Sequence, residues 1–156
     1  MSDCGFCIGG YDCDGYPEFS DLAWPKARKE HRCGECARTI LKGEVYNRWS
    51  GKFDGELFRY KTCAQCYEIR LAFSCTESDQ TGPPQGELWS DIYEMMFPRL
   101  TTACFDKLQT PQAKAFLQKK WIEWKGITSG LHTLESQPSS ESPTPASDTP
   151  PQTRTD

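Results

Sequence analysis

Hydrophobic positions in this chain are grouped into short segments separated by turn residues. Residues 44–49 and 56–60 are rich in β-branched and aromatic side chains, a composition that favours strands. The pair Asp54-Gly55 lies between them, and Asp-Gly between two such segments is a strong signal for a tight hairpin turn. The pattern therefore predicts an antiparallel β-hairpin in the centre of the chain.

Helical patterns follow the hairpin. Residues 67–73 have helical character, and residues 87–97 regain a helical period that Pro98 ends. The apolar side of this second helix is formed by Leu88, Ile92, Met95 and Met96. We therefore predict two short helices here, separated by a loop rich in proline and glycine.

A third helix is predicted over residues 111–125, because Thr110 is a suitable N-cap and Gly126 a suitable end. Its apolar stripe contains Trp121 and Trp124. These rings either dock the helix against the rest of the protein or remain exposed as anchors for a protein partner. The sequence leaves both alternatives open.

Two Cys-x-x-Cys pairs enclose the predicted hairpin, namely Cys33 with Cys36 and Cys63 with Cys66. Each two-residue gap lets a tight turn direct both sulfurs at one ion, and two pairs complete a tetrahedron with Zn–S bonds of about 2.3 Å. Disulfides between these cysteines are the alternative, but the chain opens without an apolar signal segment, which favours a cytoplasmic protein. We therefore predict one structural Zn²⁺ bound by these four cysteines.

Cysteines also cluster at the start of the chain, where Cys4, Cys7 and Cys13 lie within ten positions. Three cysteines leave a tetrahedral zinc site one ligand short, and Cys75 or His31 is available as the fourth. The alternative is a flexible leading segment with free thiols. The candidate second zinc site consists of Cys4, Cys7, Cys13 and Cys75.

Composition and charge narrow the classes of function. Hydrophobic residues form 37% of the 156 positions, and the sequence holds no run of eighteen apolar residues that would span a membrane. The net charge is −4, but residues 24–70 contain eleven Lys or Arg against six Asp or Glu. This local excess is either an ordinary solvated surface or a nucleic-acid contact through Lys26, Arg28, Lys29, Arg32 and Arg48.

The sequence offers little for catalysis. His31 and His132 are its only histidines, and it has no Gly-rich phosphate loop or nucleophile elbow. A zinc ion held by four thiolates has no open position for a substrate. We therefore expect a protein that is not an enzyme.

Several motifs in residues 24–70 occur in a specific order. A basic approach leads into His31-x-Cys33, followed by an Ile-x-x-Gly-Glu-x-Tyr segment that starts at Ile40, the Asp54-Gly55 turn, and a Lys-Thr-Cys-x-x-Cys motif that starts at Lys61. This order resembles an uncharacterised family of small zinc-finger proteins encoded by bacteriophages and prophages. The resemblance implies a phage accessory protein that acts in the bacterial cytoplasm, and it implies no activity. Our own expectation is a non-enzymatic, zinc-stabilised interaction module that binds a host or phage protein.

These observations predict a small α+β protein in four parts. Residues 1–23 form a Cys-rich N-terminal segment, and residues 24–75 a treble-clef-like zinc finger consisting of knuckle, β-hairpin and helix. Residues 76–126 form a helical extension. Residues 127–156 are rich in Ser, Thr and Pro, cannot bury enough surface to order themselves, and are predicted to be a disordered tail.

Overall fold

The computed structural model of the protein describes residues 4, 5, 7–9, 17–75 and 83–135. The strands are β1 (Phe19–Ala23), β2 (His31–Arg32), β3 (Thr39–Ile40), β4 (Tyr46–Phe53) and β5 (Glu56–Cys63), and the α-helices are α1 (Ala64–Phe73), α2 (Leu88–Asp91) and α3 (Pro111–Glu135). A π-helical turn at Ile92–Met96 and a 3-10 turn at Phe97–Arg99 continue α2, and a 3-10 helix covers Thr102–Lys107. The prediction of a small α+β protein is confirmed.

The predicted hairpin is formed by β4 and β5, whose antiparallel register runs from Tyr46 opposite Cys63 to Phe53 opposite Glu56. Asp54 and Gly55 have φ values of 48° and 80°, the left-handed conformation that a tight hairpin turn requires at both central residues. Strand β1 pairs with the other edge of β4, giving the order β1-β4-β5. The last residues of the predicted N-terminal segment therefore belong to the same sheet as the hairpin.

A second, two-stranded sheet is formed by β2 and β3, with His31 opposite Ile40. Their connecting loop contains the first Cys-x-x-Cys pair. The loop is closed by a hydrogen bond from the Cys33 amide to the Arg38 carbonyl, 2.9 Å long, and Ala37 adopts a left-handed φ of 60°. We call this short hairpin, residues 31–40, the knuckle.

The helices pack around one cluster of buried apolar residues. Helix α1 contributes Ile69 and Phe73, and α3 contributes Ala113 and Leu117, all fully buried. The carboxylate of Glu68 on α1 accepts hydrogen bonds from the amide and the hydroxyl of Thr110, just before α3. The segment bearing the finger cysteines is thus joined to α3 by apolar packing and by this polar contact.

Two helix boundaries differ from the prediction. The second helical region continues through Pro98 to Arg99 as a 3-10 turn, and α3 continues through Gly126 to Glu135. A glycine inside a helix costs only about 1 kcal/mol relative to alanine, which good neighbouring helix formers can offset. The prediction that α3 ends at Gly126 is therefore wrong, and residues 127–135 of the predicted tail are helical.

The predicted N-cap of α3 is confirmed by a hydrogen bond of 3.2 Å from the Ala113 amide to the Thr110 hydroxyl. Residues 136–156 of the predicted tail lie outside the described residues. Within the described part of the chain, no helix combines the length and the apolar character needed to cross a membrane.

Candidate metal centre

Four cysteine side chains converge beside the hairpin, and their sulfurs all lie within 4.8 Å of one another. We call this group the finger cluster: Cys33, Cys36, Cys63 and Cys66. The Sγ atoms of Cys36 and Cys63 are 3.9 Å apart, and a tetrahedral ion with Zn–S bonds of about 2.3 Å needs sulfurs roughly 3.8 Å apart. The cluster could therefore hold a metal ion, as the sequence predicted.

Three local structures position these sulfurs. Cys33 and Cys36 lie on the β2–β3 loop, Cys63 ends β5, and Cys66 lies in the first turn of α1. The amide of Gly34 donates a 2.8 Å hydrogen bond to the Lys61 carbonyl, which fixes the loop against β5. Since the ligands come from separate elements, an ion bound between them would cross-link the knuckle, the hairpin and the helix.

Hydrogen-bond donors surround the sulfurs. The amide of Cys63 lies 3.3 Å from the Cys33 sulfur, and the indole Nε1 of Trp89 lies 3.3 Å from the Cys66 sulfur. Donors of this kind stabilise thiolates and orient metal ligands. Trp89 lies 23 positions beyond Cys66, and no local pattern in the sequence points to this contact.

The four thiols also act on one another. Hydrogen bonds with Cys36, then with Cys63 and Cys66, lower the pKa of Cys33. The hydrogen bond with Cys33 is the largest of several effects that raise the pKa of Cys66. The four thiols are therefore in mutual contact, and binding of a divalent ion would release the protons that they carry.

A buried ion pair joins the knuckle to helix α1. Glu35, between the two cysteines of the knuckle, pairs with Arg70 of α1 and accepts a 3.1 Å hydrogen bond from the Leu88 amide at the start of α2. Arg70 also donates to the carbonyl of Pro84, at 3.2 Å. A single carboxylate therefore ties the knuckle to both helices, and no local pattern in the sequence points to this role.

The prediction of a second zinc site formed by Cys4, Cys7, Cys13 and Cys75 is not confirmed. Cys4 forms a disulfide with Cys104, and Cys7 forms one with Cys75. Cys13 lies outside the described residues. Sulfurs that are bonded to each other are not thiolate ligands, and the predicted set lacked Cys104, whose isolated position in the sequence gives no metal-ligand pattern.

His31, the other candidate ligand for that site, takes a different role. Its Nδ1 lies 3.1 Å from the Lys61 ammonium, and its ring packs on Tyr46 with centroids 5.3 Å apart. Partial burial, followed by the charges of Lys61 and Lys29, lowers its pKa. The His31 ring therefore packs against residues of β4 and β5.

The predicted nucleic-acid residues divide into two groups. The first four are exposed on the segment that leads into the knuckle: Lys26, Arg28, Lys29 and Arg32. Arg48 lies on β4 instead, where its guanidinium is 3.6 Å from the carboxylate of Asp21. Four of the five predicted nucleic-acid residues therefore lie on the segment that leads into the knuckle.

Both tryptophans of α3 are half-buried against the core. The Trp121 ring lies 6.0 Å from Phe105, and the Trp124 ring lies 5.8 Å from Phe97. Lys125 places its ammonium 3.6 Å from the Trp121 ring centroid. These contacts favour the docking alternative for the two rings over exposed partner anchors.

Comparison of the chain with protein-family models, with curated proteins and with solved structures finds no match.

Proposed function

We propose that this protein is a non-enzymatic, zinc-stabilised interaction module that presents one face of its three-stranded sheet to a protein partner. The main observation behind this proposal is that large apolar side chains are exposed on that sheet. Leu22 of β1 is 52% exposed and Tyr60 of β5 is 40% exposed, although both stand next to other apolar residues. An apolar patch of this kind on a small protein is typical of an interaction site.

The zinc part of the proposal rests on the finger cluster. The four sulfur donors suit a soft or borderline ion, and four thiolates are a common ligand set of structural zinc. The order of knuckle, hairpin and helix, with ligands at the knuckle and at the start of α1, supports a treble-clef finger. With four thiolates bound, such an ion has no open position and would act on the fold alone.

The register of the sheet defines the proposed contact surface. Leu22 stands opposite Trp49, and Trp49 stands opposite Tyr60, so these three side chains share one side of the sheet. Phe58 is two residues from Tyr60 on β5 and therefore joins them, with its ring 4.7 Å from Trp49. We call this surface the aromatic face: Leu22, Trp49, Phe58 and Tyr60.

The absence of basic residues beside the aromatic face on the three described strands favours a protein over a nucleic acid as its binding partner. The other positions on this side of the three strands are Ser20, Asn47, Gly51, Phe53, Glu56 and Thr62, none of them basic. Arg48 and Lys52 project to the opposite side, where they pair with Asp21 and Glu18. A surface that stacks bases normally needs cations beside its rings, whereas a protein interface needs an apolar centre.

The resemblance to phage-encoded proteins suggests a host or phage protein as the partner. The test is affinity purification of the full chain from bacterial lysate, using the double variant Leu22→Ser, Tyr60→Ser. Because central apolar anchors in interfaces contribute about 2 kcal/mol or more, retention of a stoichiometric partner should fall roughly 30-fold. Zinc content and circular dichroism of the variant should remain those of the wild type.

The matched control is Leu57→Ser. Leu57 is 79% exposed, more than either tested residue, but as the neighbour of Phe58 it projects from the opposite side of the sheet. The control should retain the partner fully. Equal retention by both variants, or the absence of any stoichiometric partner, would contradict the proposed interaction face.

Nucleic-acid binding is the alternative function, and the four exposed cations before the knuckle support it. It would act through phosphates, so affinity for mixed DNA or RNA should fall steeply between about 50 and 200 mM salt. Replacing Lys26, Arg28, Lys29 and Arg32 by Gln should abolish that binding. Substitutions on the aromatic face should leave it unchanged.

A further inference from the structure

A second group of four cysteines lies where the N-terminal segment meets the helical region, with Cys4 and Cys104 buried and Cys7 exposed. We call it the disulfide set: Cys4, Cys7, Cys75 and Cys104. Cys4, Cys7 and Cys104 line one surface depression, and the sulfur of Cys75 is bonded to that of Cys7. Three separate segments of the chain therefore meet at these two disulfides.

These segments are held together by more than their disulfides. Ile8 is fully buried and bridges to Ser74, and its carbonyl accepts a 3.1 Å hydrogen bond from the Cys75 amide. The Cys104 amide is hydrogen-bonded to the Thr101 carbonyl, at 3.1 Å. The pairing of residues 8 and 75 would keep Cys7 near Cys75 after the sulfur–sulfur bonds are cut, and Cys4 and Cys104 would remain packed in one buried cluster.

The donors match those of a metal centre. Cys4 and Cys7 have the Cys-x-x-Cys spacing of a knuckle, and two single cysteines complete a set of four sulfurs. The depression also contains Arg99, and the Thr101 hydroxyl lies 3.7 Å from the Cys104 sulfur. A nearby guanidinium and a hydroxyl donor suit the net charge of −2 that four thiolates and one Zn²⁺ would carry.

We propose that the disulfide set is a second, redox-controlled zinc site, with the two disulfides as its oxidised form and a tetrathiolate zinc centre as its reduced form. Two molecules of a dithiol reductant supply four electrons and four hydrogens, which convert the two disulfides into four thiols. Each dithiol becomes a disulfide in turn. One Zn²⁺ then displaces four protons from the thiols and binds the four sulfurs.

Oxidation reverses this sequence. Two disulfide oxidants accept four electrons from the four cysteine thiolates and leave as four thiolates, while two protein disulfides form and Zn²⁺ is released. The finger cluster contains none of these cysteines, so its own ion is counted separately. The inference rests on the difference of one ion between the reduced and the oxidised chain, and therefore not on whether the finger cluster binds zinc.

The test measures zinc per chain in the full-length protein, by elemental analysis and native mass spectrometry, after dialysis against zinc with a dithiol and again after oxidation. The wild type should hold two zinc ions when reduced. When oxidised it should hold one, with a protein mass lower by the four hydrogens lost from the disulfide set. One zinc in both states, with Cys4 and Cys104 open to alkylation after reduction, would overturn the proposal.

Two substitutions identify the ligands. Cys104→Ser should hold one zinc in both states, whereas the matched control Cys13→Ser should behave as the wild type. Loss of the second ion in Cys13→Ser but not in Cys104→Ser would contradict the proposed ligand set. Should Cys104→Ser fail to fold, the comparison of the reduced and oxidised wild type still decides the question without any substitution.

Discussion

The protein contains two groups of four cysteines that differ in state. The finger cluster has four free thiols from two Cys-x-x-Cys pairs, whereas the disulfide set has one such pair and two single cysteines joined by disulfides. In the finger cluster, the 26 residues between the pairs form strands that return the chain to its starting point. In the disulfide set, Cys4 and Cys104 are 100 positions apart and Cys7 and Cys75 are 68 positions apart, so contacts across the whole fold bring each pair together.

This difference separates two ways in which sulfur can stabilise a small protein. An ion in the finger cluster would fix neighbouring elements to one another at a single point, and its binding free energy would be part of the folding free energy. A disulfide across a long loop instead removes conformations mainly from the unfolded chain. We therefore expect the two groups to respond very differently to chelators and to reductants.

The largest effect is expected from the finger cluster. Cys33→Ser combined with Cys66→Ser removes one ligand from each pair, and structural zinc in finger domains contributes on the order of 10–16 kcal/mol. The finger should lose its zinc and unfold, with loss of amide protection in β4, β5 and α1 measured by hydrogen exchange. Cys13→Ser, which lies outside both groups, is the control. Full protection in the double variant would mean that the fold does not need the ion.

A smaller effect is expected from the disulfides. In oxidised protein, Cys104→Ser opens the bond that closes the longer loop, and loss of such a bond typically costs about 2–4 kcal/mol. Urea unfolding should show this loss while zinc remains in the finger cluster. In reduced protein that holds zinc in the finger cluster alone, the variant and the wild type should unfold at the same urea concentration. A difference of the same size under those conditions would assign the effect to packing of Cys104.

The smallest effect is expected from the indole that contacts the finger cluster. Trp89→Phe keeps a buried ring but removes the N–H that donates to Cys66. Loss of a hydrogen bond to a metal ligand should weaken zinc binding by about tenfold, measured by competition with a chromophoric chelator. Trp124→Phe makes the same chemical change on α3, where the ring packs on Phe97, and should leave zinc affinity unchanged. Equal affinities for the wild type and Trp89→Phe would show that this contact does not tune the site.

The sequence was sufficient wherever the controlling interactions are local. Two-residue gaps identified the finger cluster, and Asp54-Gly55 identified the hairpin turn, because a knuckle and a tight turn each depend on a few adjacent residues. Thr110 was recognised as an N-cap for the same reason. These features can be predicted from spacing and backbone preference alone.

The remaining features depend on distant residues. No local pattern indicates the role of Glu35, because its partner Arg70 lies 35 positions away, or that of Cys104, because nothing near it forms a ligand pattern. The end of α3 was misplaced because the small local cost of Gly126 does not outweigh the helix around it. Long-range pairing and the balance of many weak preferences are what a local pattern omits.

The central claim is that a zinc ion in the finger cluster holds the fold together. Its most direct test is native mass spectrometry of the oxidised, purified protein before and after treatment with a strong chelator, with circular dichroism recorded on the same samples. We predict one zinc per chain before treatment, and joint loss of the ion and of the folded signal afterwards. A chain that carries no metal as purified, or that keeps its folded signal once the ion has been removed, would contradict the account.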